Sequence, residues 1–258
     1  MTHADVTLKD ARRGQLIHSK DMVKLREKAT RPDKTRGETP VVIEVPRELV
    51  NIYRNIRLFV DVMNMNKVAF LYTISENINF RTSSYLKVET KMSLFESMKK
   101  VIKKYEDSSF KVKFVDADMQ FECLEDDFRG IIFKIVDTDD HTHAMERFIR
   151  IMKEGTRSIV VDMPFLCMTI VMIKCIVALS TRNLNQFPLE NSISNKYSSL
   201  IIITGVPLAD ARKYTINFGS YVKTFEDNGI MQNSTRTRGI PVTCLSSAPY
   251  RKPGQYFM

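Results

Sequence analysis

Several common chemistries are absent from this sequence. Its four cysteines, Cys123, Cys167, Cys175 and Cys244, are scattered, with no pair at CxxC spacing and no histidines clustered beside them. Neither a zinc finger nor a disulfide scaffold is expected, and Cys123, with no basic partner, reads as a packed small hydrophobe. There is no Gly-rich phosphate loop and no GxSxG, so P-loop nucleotide hydrolases and serine hydrolases are poorly supported. The N-terminus is polar and lacks the apolar stretch of a secretory signal, which points to a reducing, intracellular setting. The most apolar run, Pro164 to Leu179, contains Lys174 and falls short of the roughly 20 residues that span a bilayer. It reads as a buried helix. No internal repeat or low-complexity tract is visible.

What remains is the composition of a globular protein with enough chain for one sizeable core: 258 residues, 43% hydrophobic and 27% charged. The 39 Lys and Arg outnumber the 30 Asp and Glu, giving +9 at neutral pH. Such an excess attracts polyanions, nucleic acid first and an anionic membrane surface second.

Residues 1–40 are rich in Lys, Arg, Asp, Thr and Ser and read as a basic flexible arm. Order is expected from Val41. Arg57 to Met65 and Lys67 to Ser75 are β-branched and aromatic around a short turn, as in a hairpin, and Phe80 to Val88 reads as a third strand. Ser93 with Glu96 forms a capping box before Leu94, Phe95, Met98, Val101, Ile102 and Tyr105 at helical spacing. Phe110 to Val115 alternates as a strand and runs into Asp116-Ala117-Asp118; Gly130 to Val136 is a further strand. A helix is expected from Ala144 to Val161, then the apolar helix. Beyond residue 183 come short β-like pieces: Leu200 to Thr204, Phe218 to Thr224, Thr235 to Cys244 and Gln255 to Met258. The fold class expected is α/β, a ribonuclease H-like mixed sheet with flanking helices over residues 41–183. A linker and truncated β-rich segment would occupy 184–258.

An Asp inside an apolar strand is costly unless paired, neutralised or metal-bound, so Asp61 is informative. Asp118 stands at a strand end, where reacting groups are common, and Glu146 begins a helix. If the first and fourth strands are neighbours, these three can converge on one edge of the sheet as an oxygen-only cluster suited to Mg²⁺ or Mn²⁺. Phosphodiester chemistry uses such a cluster to activate the attacking oxygen and stabilise the leaving one. Spacing alone leaves other readings open: a turn cap at Asp118, a dipole-favoured charge at Glu146, a Lys or Arg partner for Asp61. Asp116, two residues before Asp118, cannot be told from it by pattern. Glu146, Arg150, Lys153 and Arg157 fall on one helical stripe, either a track for a polyphosphate strand or a solvated face with a Glu to Arg pair. His141 and His143 read as surface or hydrogen-bonding groups.

At these residues the chain resembles the integrase region of copia-type retrotransposon polyproteins, especially a group from marine protists. The segments that carry it are Leu58-Phe-Val-Asp61-Val-Met, Asp118-Met-Gln-Phe-Glu122-Cys-Leu and Met145-Glu146-Arg147-Phe-Ile-Arg150-Ile-Met-Lys153-Glu154. Phe218-Gly-Ser-Tyr-Val-Lys-Thr224 and Thr235-Arg-Thr-Arg-Gly239 resemble the segment C-terminal to that core. The resemblance implies catalysis of DNA strand transfer by Asp61, Asp118 and Glu146 holding Mg²⁺ (or Mn²⁺), with Arg150, Lys153 and Arg157 binding DNA. It selects Asp118 over Asp116, because the family aspartate lies three residues before the Phe-Glu pair. It further implies a nuclear location and a homo-oligomer, with no membrane partner and no small-molecule substrate. Two departures stand out: Met119 and Gln120 replace the Gly and acidic residue usual after the second aspartate, and the Asp118 to Glu146 interval is short. The chain therefore also reads as a mobile-element relic that binds nucleic acid without catalysis, and, more weakly, as a ribonuclease acting on hybrids.

Overall fold

The computed structural model describes residues 43–136, 143–163, 167–190, 192–206, 218–224, 240–248 and 254–257. The basic arm, His141 and the Thr235 to Gly239 segment lie outside them, as does the side chain of His143. A short helix α1 (Arg47–Ile52) leads into β1 (Asn55–Met65), β2 (Val68–Ser75) and β3 (Arg81–Leu86). Asn66 and Lys67 turn the first hairpin with φ of 48° and 64°. Positive φ at both central positions is the geometry whose twist matches a two-residue hairpin, so Lys67 belongs to the turn and not to the second strand. Next come α2 (Lys91–Glu106), β4 (Lys111–Asp118), a 3-10 helix (Met119–Asp127) and β5 (Ile132–Val136). After these lie α3 (His143–Val161), α4 (Ile170–Gln186) and α5 (Ser199–Thr204). Finally β6 (Tyr221–Thr224), β7 (Ile240–Ala248) and β8 (Gly254–Phe257) form a separate antiparallel sheet in that order.

The main sheet runs β3-β2-β1-β4-β5. β1, β2 and β3 pair antiparallel, whereas β4 lies parallel to β1 and β5 parallel to β4. This mixed sheet with helices on both faces is consistent with the ribonuclease H-like core expected from the order of elements. On one face Leu58, Val60, Val115 and Ala117 pack with Leu94, Met98, Val101 and Tyr105 of α2. On the other, Met63, Phe70, Tyr72 and Ile74 pack with Met145 and Met152 of α3 and Ile173 and Val177 of α4. The two periods, 2 along strands and 3.6 along helices, meet as alternation predicts.

Two helices differ from expectation. α2 starts earlier than Ser93: Thr90, in extended conformation, is the N-cap, and its hydroxyl accepts the Ser93 N–H at 3.4 Å. Ser93 is thus a donor inside the first turn. Leu200 to Thr204 is helix and not strand. Ser198 caps it by accepting the Ile201 N–H at 3.3 Å, and Gly205 closes it at φ 65°. Leu200, Ile202 and Ile203 join the α2-side core, so the caps and burial override the β preference of the isoleucines. Of the apolar run, the part from Ile170 onward forms helix α4, buried at Met172, Ile173, Ile176 and Val177 but exposed at Ile170 and Val171; among the described residues no helix is long and apolar enough to cross a membrane.

The edge of β3 is closed by a side chain. Asn185 of α4 accepts the Arg81 N–H through Oδ1 at 2.9 Å and donates Nδ2–H to the Arg81 carbonyl at 2.8 Å. An amide thus stands in for a neighbouring strand where unpaired backbone would otherwise be exposed. Leu58, fully buried on β1 opposite Val115 of β4, sits at the middle of this arrangement. Leu58→Ala is expected to lower stability by about 3 kcal/mol, read as a drop in the urea midpoint at unchanged slope; a loss within experimental error would mean that this core is not tightly packed.

Candidate metal and nucleic-acid site

The geometry starts from the register of the central parallel pair. Val60 of β1 stands opposite Ala117 of β4, so the next residues, Asp61 and Asp118, occupy neighbouring positions on the same face. It is the face covered by α3 and α4, since Phe59 and Met63 on either side of Asp61 pack in that cluster. Both carboxylates are half-buried. Asp61 accepts the Val62 N–H at 2.6 Å and has Tyr72 of β2 as cross-strand partner. Asp118 caps the 3-10 helix, accepting the Met119 N–H at 2.7 Å, and pairs across to Val136 of β5. The turn-cap reading of Asp118 is therefore realised, without removing it from the side of Asp61.

Asp116 shares that face but differs in surroundings. It is buried, with 6% of its side chain exposed, and Arg57 Nε lies 3.4 Å from its Oδ1. Lys134 of β5 is its register partner. Arg57 also stacks over Phe114 at 5.5 Å. Burial raises the Asp116 carboxyl above its ordinary value, and Arg57 and then Lys134 offset part of the shift. Asp116 thus reads as the structural acid of the pair that sequence pattern could not separate.

Glu146 lies in the first turn of α3, exposed, next to buried Met145. Its helix covers the same sheet face as Asp61 and Asp118. An oxygen-only donor set would suit Mg²⁺ or Mn²⁺, and the two aspartates are two of the three candidate carboxylates. Among the described residues, however, no three His, Cys, Asp or Glu side chains come close enough together to hold a metal ion. The arrangement fits the ion in part: two carboxylates adjacent, the third on the same face and apart.

Arg150 and Arg157 are exposed and Lys153 is half-buried. No ion pair joins Glu146 to Arg150, or neutralises Lys153 or Arg157, among the described residues. The stripe is therefore a row of available cations and not an internally paired face. Gly155, a few residues along, faces α4, where an added Cβ would meet Ser180 Oγ at 2.8 Å. The stripe lies on the side of α3 opposite Gly155, and Lys153 and Arg157 line a pocket to which Ile173 and Ile176 of α4 also contribute. Cys123, expected to be packed, is exposed on the 3-10 helix, its thiol directed to the Gln120 carbonyl at 3.4 Å. Phe121 and Leu124 fill the buried positions of that helix instead.

Sequence reading missed Arg81 and Tyr72, which sit beneath α3. Arg81 is buried, donates Nη1–H to the Leu184 carbonyl at 3.0 Å and lies 5.6 Å from the Phe148 ring centre. Burial pushes the Tyr72 hydroxyl up to about 12, with Arg81 pulling in the other direction. An Arg at the start of a strand was the only signal for this contact, and it looked like a surface residue.

No protein-family model matches the chain, and no curated protein matches it. Among solved structures it is similar to the catalytic core domain of BIV integrase, at 14% identity and a TM-score of 0.42, over 57% of this chain and 92% of that one. The fold is defined by its own strand order and directions.

The folded state holds the Asp116 proton to higher pH than the unfolded chain does, so stability should fall as pH rises from the ordinary carboxyl value of 3.8 through the raised one. Urea midpoints of the parent and Asp116→Asn, measured from about pH 3 to about pH 6, are expected to diverge, the parent losing more. Parallel profiles would remove this assignment of the buried acid.

Proposed function

We propose that the chain is a DNA-acting, divalent-metal-dependent nucleotidyl transferase of the copia-type retrotransposon integrase kind. In this reading Asp61, Asp118 and Glu146 hold Mg²⁺ or Mn²⁺, and Arg150, Lys153 and Arg157 bind the phosphate backbone. Its support is the register between β1 and β4, with Asp61 and Asp118 one step beyond Val60 and Ala117, the last pair of the parallel ladder. The helix bearing Glu146 and the three cations packs on the same face. When bound, the metal ions would activate a DNA 3′ hydroxyl and stabilise the oxygen leaving the target phosphodiester. The protein's own groups orient the strand: the cations fix its phosphates, and the half-buried aspartates stay held by backbone N–H groups at Val62 and Met119. DNA is the partner in this reading, with a homo-oligomer as the working form and the nucleus as its place.

One observation favours a second reading, a catalytically degenerate relic that binds nucleic acid: the absence, among the described residues, of a three-carboxylate cluster. The two differ in metal-dependent turnover. Nicking and strand transfer on short labelled duplexes with Mn²⁺ or Mg²⁺ are expected from the parent, and are expected to vanish in Asp61→Asn, Asp118→Asn and Glu146→Gln. A folded, DNA-binding parent without metal-dependent activity would leave the relic reading standing. Binding has its own signature. Replacing Arg150, Lys153 and Arg157 together with Ala should flatten the slope of log affinity against log salt by about 0.9 for each lost duplex contact; an unchanged slope would take the stripe out of the DNA interface.

A further inference from the structure

Beside the stripe, the far end of β1 and its turn open into a pocket of about 450 Å³ between α3 and α4, within the roughly 300 to 1,000 Å³ of small-ligand sites. Its walls divide by chemistry. Lys153 and Arg157 line one side and Asn64 and Asn66 another, while Met168, Ile173 and Ile176 line the apolar part. Ile176 is fully buried, so that part belongs to the packed interior. Neither cation has an acidic partner among the described residues.

We infer that this pocket takes one unpaired nucleotide from the end of a DNA strand lying on the α3 stripe. A nucleotide combines a planar, largely apolar body, an edge of donors and acceptors, and an anionic phosphate, and the pocket offers a counterpart to each. Half-buried Met168 and Val160 offer apolar surface to the face of the base, above the closed layer of Ile173 and Ile176. The Asn66 amide carries both donor and acceptor groups, as a base edge requires. Lys153 and Arg157 meet the phosphate. Position agrees with composition: Asn64 lies three residues beyond Asp61 along β1, a run of roughly 10 Å, so a strand engaged at the carboxylates reaches the pocket within a few nucleotides. Asn66 is held at the tip of the turn with φ of 48°, which fixes where its amide departs from the backbone. This inference rests on the DNA reading above and adds recognition of a base.

The test keeps phosphates constant and varies the base. Fluorescence anisotropy with the full chain would compare a blunt duplex, the duplex with a short unpaired tail, and the same tail with abasic residues. The base-bearing tail is expected to bind about tenfold more tightly than the abasic one, the scale of stacking one base on a protein surface. Val160→Trp, which fills the pocket, and Asn66→Gly, which removes the amide while tolerating the positive φ of the turn, should each bring that ratio to within about twofold of unity. Equal binding of the two tails, or a preference that survives both variants, overturns the pocket assignment while binding of the blunt duplex leaves the DNA reading intact. Loss of all DNA binding in the parent overturns both. A free deoxynucleoside monophosphate is expected to compete poorly; displacement of the tail by it at equal concentration would overturn a strand end as the source.

Discussion

The structure depends on the parallel pairing of β1 with β4. Two parallel strands cannot be joined by a tight turn, because the chain must return to the starting end before it can run in the same direction. Here the return takes β2, β3 and α2, and α2 offsets its cost by filling one face with Leu94, Met98, Val101 and Tyr105. Leu58 and Val115, opposite one another and both fully buried, lie at the centre. Because the side-chain period of a strand is 2, this one register also determines the polar face: Phe59 with Asp116, then Asp61 beside Asp118. A slip of β4 by one residue would turn Asp118 into the α2 core and part it from Asp61. The hydrophobic face therefore enforces the juxtaposition of the acids, with no attraction between them needed.

On the opposite face the constraint comes from polar groups. Asn185 holds the Arg81 backbone and Arg81 reaches the Leu184 carbonyl, so the end of α4 is tied to the edge strand. The Arg81 guanidinium also lies against Phe148 of α3, and the missing side chain at Gly155 lets α3 approach Ser180 of α4. Removing a member of such a buried set leaves the others unsatisfied. The rotation of α3 about its axis is thereby fixed, and with it the direction of the stripe from Glu146 to Arg157.

Much of this was legible. The β1–β2 hairpin, the strand ending at Asp118 and the helix over Glu146 all carried strong periodic signals, and each formed within a few residues of its expected bounds. The features that escaped were set by distant partners. Leu200 to Thr204 has the composition of a strand, but its caps at Ser198 and Gly205 and its burial against the α2-side core make it helix. Asp116 and Asp118 have the same local pattern, and what separates them physically is the burial of Asp116 beside Arg57, about 60 residues away in sequence. Cys123 lies in a connection whose 3-10 geometry gave no periodic signal, so its exposure was not readable. Arg81 could not be recognised as buried because its partners lie in α3 and α4.

The two residues after Asp118 that depart from the resembled family act through their position. Met119 is 65% exposed, so a bulky side chain where that family has Gly takes no space from the core and leaves the backbone cap at Asp118 intact. Its effect would fall on any group approaching Asp118 from solvent. The greater demand is on Glu146. Met145 beside it is buried in the same cluster as Met63 and Tyr72, and Phe148 is held against Arg81, so the first turn of α3 is pinned from two sides. Bringing Glu146 toward Asp61 and Asp118 by moving the helix would pull both side chains from their places. Rotation about its own side-chain bonds moves the carboxylate with the helix left in place, and costs far less.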